Sequence, residues 1–89
     1  MIFSWDSRKA SKNLKKHAVS FTEAASVFYD PLSITYLDND HLDDEERFVI
    51  IGISSKSRLL LVSHQDDGEN VRIISARTLN KSERYLYES

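Results

Sequence analysis

Cysteine is absent from this 89-residue chain, which also has only one proline and two glycines. The missing thiols exclude disulfides, thiolate metal sites and cysteine nucleophiles. With so little proline and glycine there is no obvious linker, so we expect a single domain over residues 1–89. The three histidines are dispersed without recognisable ligand spacing. The sequence therefore favours neither a metalloenzyme nor a bound cofactor.

Long apolar runs are missing as well. No stretch approaches the roughly 18 apolar residues that mark a membrane-spanning helix. Met1, Ile2 and Phe3 lack the charged start and the long apolar region of a signal peptide. We therefore expect a cytoplasmic protein without a membrane partner.

Charge is unevenly distributed along the chain. The net charge of −2 argues against a generally basic nucleic-acid binder. However, six of the nine residues from Asp38 to Glu46 are acidic, and none of them is Lys or Arg. The rest of the chain has 12 basic and 8 acidic residues, a balance of +4. One acidic segment thus masks a mildly basic body, which permits an anionic partner without requiring one.

A first helix is predicted from Arg8 to about His17, capped by Asp6 or Ser7. The spacing assigns three residues to its buried side: Ala10, Leu14 and Ala18. The outer surface of this helix is basic, with Arg8, Lys9, Lys12, Lys15 and Lys16.

A second helix is predicted from Ser20 to about Tyr29. Ser20 and Glu23 have the spacing of a capping box, and Val19 can pack on Ala24 as a hydrophobic staple. The residues expected to face inward are Phe21, Ala24, Ala25 and Phe28. Asp30-Pro31 ends the helix, because the residue before a proline disfavours helical geometry.

After Pro31 the apolar period changes from 3.6 to 2, which predicts strands. Ile2 to Trp5 is expected to be an edge strand or an apolar plug, and Asn80 caps a last helix. The predicted main strands are Leu32–Leu37, Arg47–Ile53, Arg58–His64 and Asn70–Arg77. Their short connections favour an antiparallel meander. The predicted fold is α+β: an N-terminal helical hairpin, a four-stranded antiparallel sheet and a C-terminal helix.

Two arginines lie on the last of these strands. Regular alternation places Arg77 with Val71, Ile73 and Ser75 on one face, and Arg72 with Ile74 and Ala76 on the other. A guanidinium group on a short apolar strand is costly unless it reaches water or an anion. Either both arginines pair with carboxylates or the strand carries a phosphate site.

The ordered motifs of this chain resemble those of the BrnT family of type II toxins, and the likeness spans nearly the whole sequence. The motifs are Trp5-Asp6-x-x-Lys9-Ala10-x-x-Asn13-x-x-Lys16-His17, Val19-Ser20-Phe21-x-Glu23-Ala24, Asp30-Pro31, Glu46-Arg47-Phe48, Ile51-Gly52 and Arg72-Ile73-Ile74-Ser75-Ala76-Arg77. One departure is Ala18, where the family commonly has glycine. If the helix ends there in a left-handed conformation, alanine costs about 1 kcal/mol.

The resemblance implies a RelE-like fold and metal-independent RNA cleavage that arrests growth. It also implies a BrnA-like antitoxin that neutralises the protein, and operator DNA that is bound only through that antitoxin. Such cleavage needs a base, an acid and cations for the phosphorane charge. The candidate catalytic residues are Arg47, Arg77, His64, Glu46 and His17, with Tyr85 and Tyr87 as further titratable groups. The candidate RNA contacts are Arg72, Lys16 and Arg84.

Structural alternatives stand beside each assignment. His17 suits the C-terminal dipole of its helix, and His64 can bond the aspartates that follow it. Glu46 can form an ion pair with an arginine of another strand. His41 can be a solvated loop residue, and Trp5 can belong to the core rather than stack on a base.

A different class of function is a module that binds a partner protein and catalyses nothing. An apolar two-sided sheet with a lysine-rich helix suits a wrapped protein partner as well as RNA. The two classes differ in where the arginines point. Convergence of Arg47, Arg72 and Arg77 on one exposed concavity favours an enzyme, whereas burial of each against a carboxylate favours the binding module.

Overall fold

The chain is described here by a computed structural model that covers residues 1–38 and 46–88. Within those residues the elements are β1 (Ile2–Ser4), α1 (Ser7–His17), α2 (Phe21–Ser26) with a 3₁₀ turn (Val27–Tyr29), β2 (Ile34–Leu37), β3 (Phe48–Ile53), β4 (Leu59–Asp66), β5 (Asn70–Thr78) and α3 (Lys81–Glu88). His41 and most of the predicted acidic segment lie outside the described residues. No helix in the described part of the chain is long and apolar enough to cross a membrane.

The five strands of the described chain form one mixed sheet in the order β1-β5-β4-β3-β2. The predicted four-stranded antiparallel sheet is therefore wrong in its count, and the two helices do not open the fold. β1 precedes them and pairs in parallel with β5, Ile2 opposite Asn70 and Ser4 opposite Arg72. Three residues are too few to show an alternating pattern, and their partners lie at the other end of the chain. The edge-strand prediction for this segment is confirmed.

A β-bulge interrupts the pairing of β4 with β5. Ser63 lies opposite Ser75, but His64 lies opposite Ile73, so Ile74 is an extra residue on β5. The extra residue reverses the alternation in the second half of the strand. Consequently Val71, Ile73 and Ala76 share one buried cluster, while Arg72, Ser75 and Arg77 project from the other face. The predicted separation of the two arginines onto opposite faces is wrong for this reason.

We call the two sides of the sheet the helix-covered face and the arginine face. The helix-covered face packs against α1 and α2, and its buried cluster is Val19, Phe21, Ala24, Val27, Ile50, Leu60, Val62, Val71, Ile73 and Ala76. The arginine face carries Arg72 and Arg77. Its smaller apolar cluster is Val49, Ile51, Leu61 and Leu79, against which Tyr87 of α3 packs. α3 thus lies over one end of the arginine face.

Helix α1 is anchored by a buried asparagine, and of its predicted apolar side Ala10 packs against the core whereas Leu14 and Ala18 are exposed. The Asp6 carboxylate caps α1 by accepting from the Arg8 N–H at 2.8 Å, as predicted. Leu14, however, is 52% exposed, and Asn13 is the buried residue of the helix. The Asn13 amide donates to the Ala76 carbonyl at 2.8 Å and accepts from the Ala76 N–H at 3.0 Å. β1 covers β5 only as far as Arg72, so Asn13 takes the place of a neighbouring strand at Ala76.

Helix α2 begins at the predicted cap but uses its glutamate differently. The Ser20 hydroxyl accepts from the Glu23 N–H at 3.1 Å. The Glu23 carboxylate turns to Arg58, whose Nε lies 3.0 Å away, and to the Ser54 hydroxyl at 2.6 Å. The hydrogen bond from Arg58 lowers the pKa of Glu23 against the opposing effect of burial. This buried group therefore ties α2 to the loop between β3 and β4.

Candidate anion-binding site on the arginine face

Arg72, Ser75 and Arg77 project from β5 on the arginine face. Cross-strand register places Ser63 of β4 beside Ser75 and Gln65 beside Arg72. Arg72 is exposed, whereas Arg77 and the two serines are half-buried. Because serine side chains are short, the sheet between the two arginines has a low floor lined by hydroxyl groups. An anionic chain can approach the backbone there between two guanidinium groups.

The same row of the sheet continues to its opposite edge. Val49 of β3 lies opposite Ser63, and Tyr36 of β2 lies opposite Val49. Strand alternation places Arg47 on the same face of the sheet as Val49. The Arg47 carbonyl accepts from the Asp38 N–H at 2.8 Å. Tyr36 and Arg47 therefore border the arginine face on the side away from β5.

Arg77 is held by a carboxylate of α3. Its two terminal nitrogens each donate to one oxygen of Glu83, at 2.7 Å and 2.7 Å. The hydrogen bond from Arg77 lowers the pKa of Glu83, and the same bond raises the pKa of Arg77. Glu83 also accepts from the Asn80 N–H at 2.9 Å and donates its own N–H to the Asn80 side chain at 2.9 Å, which completes the predicted helix cap. The carboxylate-paired alternative thus holds for Arg77 in this structure.

Glu46 and Arg72 line one depression of about 520 Å³ at the other end of the arginine face. Its remaining lining residues are Ser4, Gln65, Asp66, Asp67 and Asn70. Two of the three carboxylates take part in the turn between β4 and β5: Asp66 accepts from the Gly68 N–H at 2.8 Å, and Asp67 from the Asn70 N–H at 2.8 Å. Glu46 is exposed and lines the same depression as Arg72.

The structure places His64 away from the arginines. Its side chain is 1% exposed on the helix-covered face, with ring centroids 4.7 Å from Phe28 and 6.0 Å from Phe48. Its Nδ1 lies 3.2 Å from the Val62 carbonyl. Burial lowers the pKa of His64. Selection of His64 as an acid–base residue does not fit this placement, because strand alternation turns it inward.

His17 and Lys16 end α1 on the other side of the sheet. The Ala18 carbonyl accepts from Arg58 at 2.9 Å, which places this helix end where β4 begins. Glu46 and Arg72 lie where β4 ends, so the structure does not bring His17 to them. Trp5 packs edge-on against Phe21 at 6.0 Å on the helical side and remains 36% exposed.

The C-terminal helix carries the remaining predicted residues. Arg84 is exposed and follows Glu83, the residue that binds Arg77. The Tyr87 hydroxyl donates to Asp30 at 2.7 Å and is therefore used in packing α3. Tyr85 is 76% exposed.

Sequence reasoning missed four residues of this surface: Tyr36, Ser63, Ser75 and Glu83. The sequence predicts Asn80 as the cap of the last helix, but it does not identify Glu83 as the partner of Arg77. The serines and Tyr36 come together only through cross-strand register, which a single sequence does not give. In the described part of the chain no three His, Asp or Glu side chains are grouped as metal ligands.

The fold is that of a small α+β domain, and one face of its sheet carries Arg72, Arg77 and two serines. Residues 5–83 match the family model of the ribonuclease toxin BrnT of type II toxin–antitoxin systems. The chain belongs to this BrnT family of ribonuclease toxins. The description of the family as ribonuclease toxins of type II toxin–antitoxin systems implies RNA as the substrate and an antitoxin as the partner.

The fold is similar to that of a solved relative. The 1.1 Å crystal structure of the Brucella abortus ribonuclease toxin BrnT aligns with a TM-score of 0.64 at 20% sequence identity. The alignment covers 91% of this chain and 100% of the Brucella chain. None of the curated proteins matches this sequence.

Proposed function

We propose that this protein cleaves cytoplasmic RNA without a metal ion, arrests growth in doing so and is neutralised by a BrnA-like antitoxin. The observation that carries the proposal is the bulge at Ile74, which brings Arg72 and Arg77 to one face around a serine floor. Two cations and a neutral polar floor suit a phosphodiester chain better than they suit a protein core.

The roles follow from the positions of the groups. Glu46 takes the 2′-hydroxyl proton. It lines the same depression as Arg72, whereas the other two carboxylates there, Asp66 and Asp67, accept hydrogen bonds within the turn between β4 and β5. Arg72 and Arg47 stabilise the charge on the phosphorane, and Arg77 joins them when a phosphate replaces Glu83. Arg84 and Lys16 contact RNA beyond the scissile bond. His17 and His64 are left out of the proton transfers, because both lie away from Glu46.

The chemistry is tested with the purified protein and total RNA in a buffer containing EDTA. We expect cleavage, and a slowing of about a hundredfold in Arg72→Ala, the usual cost of removing a transition-state cation. Arg8→Ala, an exposed arginine on the outer side of α1, is the matched control and should cleave normally. RNA that stays intact with folded wild-type protein would contradict the enzyme and favour the protein-binding module.

The partner is tested with the product of the neighbouring gene. A mildly basic body suits an acidic antitoxin segment that becomes ordered on binding, so electrostatics should speed association. We expect a tight complex whose association rate falls as salt rises, and operator DNA that is bound by the complex but not by the toxin alone. A rate independent of salt, or the lack of any complex, would contradict this part of the proposal.

A further inference from the structure

Tyr36 is the tyrosine of the described chain that a strand of the sheet presents on the arginine face. Cross-strand register places it in one row with Val49, Ser63 and Ser75, on the edge strand β2, three strands from β5. The side chain is 39% exposed, so its hydroxyl can reach a ligand lying along the row. The hydroxyl is also close enough to Arg77 and Glu83 for their charges to affect it.

The other described tyrosines are placed for different tasks. Tyr29 packs its ring 6.2 Å from Phe3 on the helix-covered side. Tyr87 donates its hydroxyl to Asp30. Tyr85 is on the exposed side of α3. Only Tyr36, among these residues, faces the same surface as the arginines through the register of the sheet.

A phenol suits the second proton transfer of the reaction. Burial, and then the negative charge of Glu83, raise the pKa of Tyr36, so the hydroxyl stays protonated at neutral pH. The positive charge of Arg77 acts in the opposite direction and favours the phenolate. Arg77 can therefore stabilise the charge that remains on the ring oxygen once the proton has left.

We infer that Tyr36 is the general acid of the cleavage proposed above, on which this inference rests. As the 2′-oxygen bonds to phosphorus, its proton passes to Glu46. As the bond between phosphorus and the 5′-oxygen breaks, that oxygen takes the phenolic proton of Tyr36. The products are a 2′,3′-cyclic phosphate and a 5′-hydroxyl, and exchange with water returns the proton from Glu46 and restores the phenol.

The test uses Tyr36→Phe, which keeps the ring and removes only the hydroxyl. The substrate is an RNA oligonucleotide containing a bond that the wild-type protein cleaves, made with the ordinary 5′-oxygen or with sulfur in that position. A thiol has a pKa of about 8.5, so a thiolate departs without being protonated. Tyr29→Phe, which also loses a single hydroxyl but on the other side of the sheet, is the matched control.

We expect Tyr36→Phe to cleave the ordinary bond at least about a hundredfold more slowly, within the range for a lost general acid. The sulfur-containing bond should be cleaved at close to the wild-type rate, and Tyr29→Phe should be normal on both. Equal slowing on the two bonds would overturn the assignment and make Tyr36 a binding contact, and unchanged rates would overturn it altogether. Wild-type protein that cleaves neither substrate would overturn the proposed ribonuclease activity together with the role of Tyr36.

Discussion

The two faces of this sheet use polar residues in opposite ways. On the helix-covered face Asn13, Glu23 and His64 are buried, and each makes hydrogen bonds within the chain. In the described residues no buried side-chain nitrogen or oxygen lacks a partner. On the arginine face Arg72 and Glu46 are exposed beside a depression. A polar residue in a shared family motif can therefore serve folding or serve a ligand, and the face on which it lies separates the two.

The largest effect is expected at Asn13, on the helix-covered face. Asn13→Ala leaves the N–H and C=O of Ala76 without their partner, since β1 ends before it. An unpaired buried group costs roughly 1–3 kcal/mol, so the free energy of unfolding should fall by about 3 kcal/mol. Urea denaturation measures the change, with the exposed Lys12→Ala of the same helix as control. A loss below about 0.5 kcal/mol would show that water replaces the amide.

Arg77 lies on the arginine face but, like the polar residues of the helix-covered face, is hydrogen-bonded within the chain. If it acts on the transition state, Arg77→Ala should lower the cleavage rate about a hundredfold, or roughly 3 kcal/mol. Glu83→Gln breaks the same ion pair but leaves the guanidinium group in place, so its activity should equal or exceed that of the wild type. Any loss of stability is shared by the two variants, and activity alone separates them. An equal loss of activity in both, matched by their melting temperatures, would make Arg77 purely structural.

His64 gives the helix-covered face a dependence on pH. Burial lowers the pKa of His64 in the folded protein, so the unfolded chain takes up this proton first as pH falls below about 6.5. The free energy of unfolding should therefore decrease from pH 7.5 to pH 5.5. This decrease should be smaller in His64→Phe, which cannot titrate. Parallel pH dependence in the two proteins would contradict this account.

The smallest effect is expected at Ala18, which belongs to neither face. Ala18 adopts a left-handed conformation with φ 58° at the end of α1, the position where the resemblance pointed to glycine. Ala18→Gly should raise the free energy of unfolding by about 1 kcal/mol or less. Thermal denaturation tests this change, and the cleavage rate should not move. A destabilised variant would mean that the entropy of the unfolded glycine chain outweighs the relieved strain.

What the sequence predicted well depends on residues close together in the chain. The cap of α1 by Asp6, the cap of α2 by Ser20 and the cap of α3 by Asn80 are all confirmed. In each case the donor and acceptor are no more than three residues apart. Such signals can be read from one segment without knowing the rest of the fold.

What the sequence did not predict depends on pairing between distant segments. The parallel strand β1 finds its partner about 68 residues away, and its three residues show no periodic pattern. The bulge at Ile74 arises from the register of β5 against β4, so strict alternation assigned Arg72 to the wrong face. The placement of Arg72, Ser75 and Tyr36 on one face of the sheet could not be recognised without that register.

Glu83 binds both the guanidinium group of Arg77 and the backbone of the first turn of α3. These two contacts make a pair of linked equilibria. An anion that binds Arg77 in place of Glu83 breaks this ion pair. The freed Glu83 carboxylate is the same group that accepts the Asn80 N–H at the helix cap. By thermodynamic reciprocity, whatever steadies α3 through Glu83 weakens the affinity of Arg77 for that anion, and to the same extent. In the proposed function, the C-terminal helix thereby sets how readily Arg77 binds a phosphate.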